Sequence, residues 1–387
     1  MGKKCKLSEL CDVRDGTHDS PEYVQEGYPL VTSKNIVDGR LDLTVVNYIS
    51  EKDYNHINER SKVDLGDIIM PMIRTIGNPH LIEAIPEFAI KNVALIKFPK
   101  SDVSNKFIYY FLQSDAFKTY VAENNRGGTQ KFLSLKDIRN MDIPALSYEK
   151  QLEICAVLDK VSELIDLRKE QLAKLDQLVK SRFIELFGTP LLNEKGWEVK
   201  STGDVCSVTD GSHFSPVGKE DGYPMLSVRN MRNDGFHYDD CKLVSQEDYD
   251  ILVKQGCKPL KNDVLIAKDG SYFYYGFVVK EEIEQAVLSS IAILRPNLEE
   301  INPEYLCRYM LSNEIVDLVG KNYVTGAAIK RVILKGIKQI PVMLPPMELQ
   351  NQFATFVEQT DKSKLAIQQS LNKLELLKNS LMQEYFG

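Results

Sequence analysis

The chain has 387 residues, of which 43% are hydrophobic and 27% are charged, and its formal net charge is −7. This length and composition are typical of a globular protein with two domains of ordinary size, and the absence of any run of about 18 apolar residues excludes a transmembrane helix. The acidic balance argues against a general nucleic-acid binder, which is usually basic.

The N-terminus and the cysteines narrow the class of protein further. No apolar stretch follows the basic residues near the N-terminus, which predicts a cytoplasmic protein without a signal peptide and without a membrane partner. The seven cysteines form no CxxC pair, and no histidine lies at ligand spacing to a cysteine pair. We therefore predict neither disulfides nor a metal site, and no motif indicates a cofactor.

The chain contains a long internal repeat. Residues 15–18 (DGTH) recur as residues 210–213 (DGSH), at an offset of 195 positions. The later part of each half keeps register at an offset of 199, which pairs Lys131 with Lys330. A period of this length is too long for a solenoid and indicates a domain duplication.

Each half begins with a mixed segment of about 145 residues. Short apolar runs such as residues 28–31, 67–70 and 94–96, separated by Gly, Pro and Asn, predict strands joined by turns. Towards the end of each segment the spacing of apolar residues predicts one amphipathic helix, at residues 106–122 and 303–319.

A long helix follows each mixed segment. Residues 148–187 and 347–386 contain neither Gly nor Pro, and apolar residues recur in them at heptad spacing. Sustained heptads predict a coiled coil in which the two helices bury their apolar stripes on each other. The alternative is two separate surface helices, each packed on its own domain. The main seams are Leu158, Ile165, Leu172, Val179 and Leu186 in the first helix, and Phe353, Thr360, Ile367, Leu374 and Leu381 in the second.

Motifs of catalysis are missing from the sequence. There is no GxxxxGK(S/T) loop, no GxGxxG fingerprint and no Asn/Asp-Pro-Pro-Tyr/Phe tetrad. The repeat shares His18 and His213, but neither a nucleophile nor a carboxylate partner repeats convincingly beside them. The Asp-Gly pair before each histidine is interpreted as a turn. We therefore predict a chain that is not itself an enzyme.

In this order, and present twice, these motifs resemble the specificity (S) subunit of type I restriction-modification systems. The similarity covers essentially the whole chain. It includes the Asp-Gly-Thr/Ser-His start, the Lys/Arg-Asn-Ile/Met segment, the GGTQK run at 127–131, the Ile-Pro exit at 143–144 and the helix opening at 149–151. The second half departs from the first where Ala327 and Ala328 replace Gly128 and Thr129.

The resemblance implies an α+β fold with an internal pseudo-two-fold duplication. Two mixed α/β target-recognition domains, expected at residues 1–146 and 189–345, would be separated by two long helices that form an antiparallel coiled coil. Those helices are expected within residues 147–188 and 346–387.

The resemblance also implies partners. Each domain would read one half of a split site in double-stranded DNA. The chain would assemble with two modification (adenine methyltransferase) subunits, for which the outer faces of the long helices are candidate docking surfaces. For cleavage, it would join restriction subunits that are ATP-dependent translocases and nucleases. Such partners could supply much of the phosphate contact that this acidic chain lacks.

The repeat separates framework positions from candidate DNA contacts. If two domains read different half-sites, repeated cations and amides should contact phosphates, and base readers should lie where the halves diverge. Each candidate has the alternative role of a solvated loop residue. The candidate phosphate contacts are Lys34, Asn35, Lys131, Arg229, Asn230 and Lys330. The candidate base readers are Arg74, Thr75, Asn78, Asn124, Asn125, Arg126, Lys268, Tyr272, Tyr274, Lys321, Asn322 and Tyr323.

Two other functions fit parts of the sequence. A duplicated protein–protein scaffold that does not bind DNA agrees with the acidic balance, but it does not explain a matched framework with diverged loops. An enzyme with duplicated catalytic domains conflicts with the missing motifs. The sequence therefore favours a non-catalytic DNA specificity subunit.

Overall fold

The computed structural model describes residues 3–37, 39–73, 76–100, 102–124, 132–232, 234–270, 272–326 and 330–387. The chain forms two compact units, the first made of Met1–Glu170 with Gln368–Gly387 and the second of Gln171–Ile367. Each unit therefore combines one mixed segment with a part of both long helices.

The mixed segment of the first unit folds into strands and short helices. Its described strands are Lys4–Lys6 (β1), Asp12–Asp15 (β2), Tyr23–Val24 (β3), Tyr28–Val31 (β4), Ile36–Val37 (β5), Arg40–Leu41 (β6), Asn47–Ile49 (β7), Ile68–Pro71 (β8), His80–Leu81 (β9), Ala89–Ile90 (β10), Val93–Lys97 (β11) and Asp142–Pro144 (β12). Its described helices are Leu7–Leu10 (α1), Glu51–Ser61 (α2), Asn105–Phe111 (α3), Asp115–Asn124 (α4) and Leu135–Arg139 (α5), and the long helix Tyr148–Phe187 (α6) follows. The larger sheets have the orders β2-β11-β8-β9, which is antiparallel, and β10-β4-β7-β3, in which β10 and β4 are parallel.

The central strands of the antiparallel sheet are buried on both faces. Successive side chains of a strand point to opposite faces, so alternate residues enter different cores. Ile68 of β8 packs in one core with Phe107 of α3 and Leu158 of the long helix. Ile69, the next residue, packs in another core with Val31 of the second sheet.

The second unit repeats this plan. Its described strands are Glu198–Ser201 (β13), Cys206–Asp210 (β14), Tyr223–Leu226 (β15), Met231–Arg232 (β16), Gly235–Phe236 (β17), Lys242–Val244 (β18), Val264–Ala267 (β19), Gly276–Val278 (β20), Ala286–Val287 (β21), Ile291–Pro296 (β22), Val324–Thr325 (β23), Arg331–Val332 (β24) and Pro341–Leu344 (β25). Its described helices are Thr202–Val205 (α7), Gln246–Lys254 (α8), Pro303–Met310 (α9), Asn313–Asn322 (α10) and Leu334–Lys338 (α11), and the long helix Met347–Phe386 (α12) follows. The larger sheets are β14-β22-β19-β20 and β18-β15-β21.

The long helices have the bounds that the sequence predicted, and their heptad seams are buried or half-buried throughout. In the first unit Lys169 Nζ lies 3.6 Å from Glu375 Oε1, and Phe386 shares a core with Leu158. The two helix segments of that unit are therefore antiparallel. Within the described ranges, no helix is both long and apolar enough to cross a membrane.

The second unit also contains an antiparallel pair of helix segments. Phe187 packs edge-on against Phe353, with ring centroids 5.5 Å apart. Further along, an ion pair joins Asp176 to Lys364. Because the end of one helix meets the start of the other, each unit is stabilised by residues that lie far apart in the chain.

The single amphipathic helix predicted near the end of each mixed segment is wrong. The structure has two helices in each place, α3 with α4 and α9 with α10. The hydroxyl of Ser114 accepts the N–H of Phe117 at 3.2 Å, and Ser312 is the N-cap of α10. The Ser114 hydroxyl thus begins a new helix by bonding a backbone N–H group that the first turn leaves free. Ser312 makes no such bond to the first turn of α10, and its hydroxyl donates instead to the carbonyl of Tyr309 at 2.8 Å.

The repeated Asp-Gly pair is not a turn. Neither Gly16 nor Gly211 adopts a left-handed conformation. A β-carbon at Gly16 would lie 2.4 Å from the carbonyl oxygen of Ile90, and one at Gly211 would lie 2.0 Å from that of Val287. Glycine is required at these positions because a neighbouring strand passes too close for any side chain.

Candidate nucleic-acid interface

In the second unit, the loop that follows β19 lies beside the hairpin formed by β23 and β24. The backbone N–H of Val332 donates to the carbonyl of Lys268 at 2.9 Å. The next loop residue, Asp269, forms an antiparallel bridge with Arg331. These contacts place the loop that contains the candidate base readers Lys268, Tyr272 and Tyr274 beside the hairpin that follows the candidates Lys321, Asn322 and Tyr323.

The first unit has the same framework at the equivalent positions. The N–H of Leu133 donates to the carbonyl of Met72 at 2.9 Å, and Ile73 forms an antiparallel bridge with Phe132. The backbone contacts are thus shared between the units, whereas the side chains at the bridge differ completely.

A buried charge cluster supports the loop in the second unit. Lys268 Nζ lies 3.3 Å from Asp210 Oδ2 and 3.5 Å from Asp269 Oδ1, and only 4% of the lysine side chain is exposed. A buried ammonium group is tolerated because two carboxylates compensate for its lost hydration. The prediction that Lys268 reads bases is therefore wrong; its charge is used inside the protein.

The 3₁₀ turn Val228–Asn230 is connected to the loop after β19 through Ser290. The Ser290 hydroxyl accepts the N–H of Val228 at 3.1 Å, and its carbonyl accepts the N–H of Lys268 at 2.9 Å. Arg229, the next residue of that turn, is exposed. We call the exposed parts of residues 210–214, 228–230, 268–270, 272–275 and 330–332 the second loop face.

In the first unit, Asp15 holds an exposed histidine and an exposed arginine. His18 Nε2 lies 2.8 Å from Asp15 Oδ2, and Nδ1 lies 2.8 Å from Asn92 Oδ1. Arg60 donates to the other oxygen of Asp15. The carboxylate is buried, whereas the imidazole and the guanidinium remain largely exposed, so a cationic surface rests on a buried acid.

The ring contacts of His18 predict a pH dependence of stability. Hydrogen bonds to Asn92 and to Asp15 raise the pKa of His18 above its ordinary value of 6.5. The stabilisation is complete below pH 6.5 and is lost as the pH rises through the folded-state pKa. Because the ring is exposed and the interaction is screened by solvent, we expect at most about 1 kcal/mol.

Thermal unfolding of wild type and of His18→Gln at pH 6 and pH 9 tests this expectation. The difference in unfolding free energy between the two proteins should be larger at pH 6. If the two pH profiles differ only by a constant offset, the proposed contribution of His18 is contradicted.

The repeated asparagines of the Lys/Arg-Asn-Ile/Met segment have a structural role. The Asn35 amide donates to the carbonyls of Asp42 and Val45 at 3.1 and 3.0 Å. Asn230 donates in the same way to the carbonyl of His237 at 3.3 Å. Both side chains are buried, so their amides hold a turn and are not available to a phosphate.

The cations beside these asparagines are placed differently. Lys34 lies in the 3₁₀ turn Ser33–Asn35, and Arg229 lies in the equivalent turn Val228–Asn230. Both are exposed. The buried amide thus fixes the turn that presents the cation, and phosphate contact by Lys34 and Arg229 stays a prediction.

The remaining predicted residues fall into three groups. Asn78, Tyr274, Lys321, Asn322 and Lys330 are exposed. Tyr272, Tyr323 and Asn124 are half-buried, and the Asn124 amide donates to the carbonyl of Tyr120 at 2.9 Å. Arg74, Thr75, Asn125, Arg126 and Lys131 lie outside the described residues.

Three exposed residues on these surfaces were missed in the sequence. Arg331 starts β24, Phe132 occupies the equivalent position, and Phe214 lies beside the shared histidine with 64% of its surface exposed. Their signal was available, because Phe132 and Arg331 are paired by the offset of 199 yet differ in chemistry. Arg331 lies in a short strand, whereas base readers were predicted in loops.

Both halves of the chain are similar to proteins of one family. Residues 3–177 and 194–376 each match the family model described as type I restriction modification DNA specificity domain. The chain is 23% identical over 378 residues to the putative type I restriction enzyme MjaX specificity subunit of Methanocaldococcus jannaschii, across 92% of this chain and 86% of that protein. It is 21% identical over 385 residues to the EcoKI specificity subunit of Escherichia coli K12, across 93% and 81%.

A solved structure has a similar fold. The crystal structure of the type I restriction-modification system S subunit from M. genitalium superposes with a TM-score of 0.60 at 16% sequence identity. The superposition covers 100% of this chain and 96% of that one. The α+β duplication predicted from the sequence is therefore confirmed.

Proposed function

This chain belongs to the family of type I restriction-modification DNA specificity subunits, and from that membership we propose that each of its two units reads one half of a split DNA site. Members of the family are recognition subunits and not catalysts. The chain is thus the DNA-recognising component of a type I complex.

One observation carries the assignment of one half-site to each unit. The hydrogen bonds Leu133–Met72 and Val332–Lys268 are the same backbone contact in the two units. The exposed side chain beside each contact is Phe132 in one unit and Arg331 in the other. A shared framework that presents different side chains is what two readers of different sequences require, because sequence is read by side chains at base edges.

The long helices carry a second repeated surface. Four exposed residues recur at an offset of 199 and at helix positions i, i+4, i+7 and i+11, which lie on one face. The first copy belongs to the second unit and the second copy to the first unit. The copies are Lys174, Leu178, Ser181 and Glu185, and Lys373, Leu377, Ser380 and Glu384. We call them the helix stripes.

Because the two helix stripes present the same four residue types in the same arrangement, two copies of one partner protein can bind to them in the same way. We assign the stripes to docking of two adenine-methylating modification subunits, which would carry the chemistry. The restriction subunits would join the same assembly. The net charge of −7 agrees with this division of work, since partners that surround the DNA can provide the basic surface while this chain provides specificity.

Mapping of N6-methyladenine by long-read sequencing tests the function directly. The chain is co-expressed with the modification subunit encoded beside it, and the modification subunit alone is the control. We expect complete methylation at one motif with two short blocks around a fixed unread gap. Methylation that is absent, or identical without this chain, would instead support a scaffold that does not bind DNA.

A further inference from the structure

Arg331 is held in a defined orientation on the second loop face. Its Nε donates to Asp269 Oδ1 at 3.1 Å, and 54% of the arginine side chain is exposed. The short hairpin strand that contains it is paired with Val324–Thr325. Within the part of the chain that the structure describes, the terminal amino groups of Arg331 bond to no other side chain.

The carboxylate that holds Arg331 is itself fixed. Only 12% of the Asp269 side chain is exposed, and the buried Lys268 ammonium lies 3.5 Å from the same oxygen. Lys268 is in turn anchored by Asp210 at 3.3 Å. The arginine therefore rests on a chain of buried charges, which reduces the conformational entropy that it would lose on binding.

A guanidinium held through Nε has a specific use at a base edge. Its two terminal amino groups point outward as a planar pair of donors. Guanine presents two acceptors, O6 and N7, at matching spacing in the major groove, and arginine bonded to both is the commonest specific contact to DNA. The other bases do not present this pair of acceptors in the major groove.

The first unit cannot make this contact at the equivalent place. Phe132 stands where the second unit has Arg331, and Ile73 stands where it has Asp269. Both the donor and the carboxylate that would hold it are missing. The two units share the backbone at this point but differ in the chemistry that they present.

We propose that Arg331 reads a guanine in the half-site recognised by the second unit, and that Asp269 is the positioning residue for it. This inference rests on the proposed function. It adds a base identity, a reading residue and a difference between the two half-sites.

The test is a methylome of the complete complex with Arg331→Ala, Arg331→Lys and Asp269→Asn. Lys330→Ala is the matched control, because Lys330 is the exposed neighbour in the same hairpin and is expected to contact phosphate without reading sequence. The unaltered half of the motif serves as an internal control for folding and assembly.

With Arg331→Ala, one G·C pair in one block should become degenerate, with a loss of discrimination of about 10- to 100-fold, while the other block stays intact. Arg331→Lys should relax the same pair to a smaller degree, because an ammonium group can also donate to O6 and N7 but lacks the rigid planar pair of donors. Asp269→Asn should relax the same pair to a smaller degree. Lys330→Ala should lower methylation uniformly and leave the motif unchanged. A purely structural role of Asp269 would lower all methylation without this positional change.

Separate outcomes would overturn the inference and the proposed function. A wild-type motif whose blocks both lack a G·C pair, or a motif that Arg331→Ala and Arg331→Lys leave unchanged, overturns the reading role of Arg331. If Arg331→Ala abolishes methylation altogether, the motif of Arg331→Lys is compared with the wild-type motif. Relaxation at one G·C pair supports the reading role of Arg331, and an unchanged motif overturns it. Absence of any split motif in the wild type overturns the proposed function instead.

Discussion

Replacing Leu178 and Leu377 together by aspartate is expected to abolish methylation by the assembled complex while leaving the chain folded. These leucines are the apolar members of the two helix stripes, and they are 48% and 47% exposed. Because they contribute little to the core, their loss should cost little stability. A carboxylate placed in an apolar contact with a partner should cost about 2–3 kcal/mol at each site, or roughly 30- to 150-fold in affinity.

Single variants make the expectation quantitative. Leu178→Asp or Leu377→Asp alone should leave a complex with one modification subunit, measured by native mass spectrometry, where the wild type has two. Leu298→Asp is the matched control, because Leu298 is 50% exposed and lies outside the long helices. A double variant that still binds both partners with wild-type affinity would show that the stripes are not the docking surfaces.

Replacing Gly211 by alanine is expected to destabilise the second unit by about 3 kcal/mol or more. The new β-carbon would lie 2.0 Å from the carbonyl oxygen of Val287, a backbone atom that cannot rotate away as a side chain can. Relief requires the strands to separate, which breaks the hydrogen bond from Ser212 N–H to the same carbonyl at 2.9 Å. Overpacking of this kind costs about 1–3 kcal/mol in ordinary cores and more where backbone must move.

Urea denaturation monitored by circular dichroism measures this effect. Gly218→Ala is the control, because its nearest neighbours are side-chain carbons of Lys242 at 3.6 Å and beyond, and it should unfold like the wild type. Gly16→Ala should destabilise the first unit, since its β-carbon would meet the carbonyl of Ile90 at 2.4 Å. Equal midpoints for Gly211→Ala and Gly218→Ala would refute the close-approach explanation of the repeated Asp-Gly pair.

Much of the architecture could be predicted because it depends on patterns that are local or periodic. The heptads of Tyr148–Phe187 and Met347–Phe386 predicted two long helices, and the structure has them with those bounds. The shared offsets predicted a duplication, since a repeated sequence must fold in the same way twice. Short apolar runs separated by Gly, Pro and Asn predicted strands, and the run at residues 94–96 lies in the strand Val93–Lys97.

The role of individual polar residues could not be read from the same patterns. Lys268 diverges between the halves, as a base reader would, yet it is buried between Asp210 and Asp269. Asn35 repeats between the halves, as a phosphate contact would, yet its amide closes a turn. Divergence and repetition indicate that a position matters, but they do not distinguish a contact with DNA from a contact inside the protein.

What the sequence by itself determined was the duplication, the two long helices and the mixed character of the segments before them. Only the tertiary structure decided which charges are buried, that Asp269 holds Arg331 from 62 positions away, and that the halves of each long helix belong to different units. The physical reason is that propensity and periodicity act between neighbours in the chain. The burial of a charge and the approach of two strands depend on partners that only folding brings together.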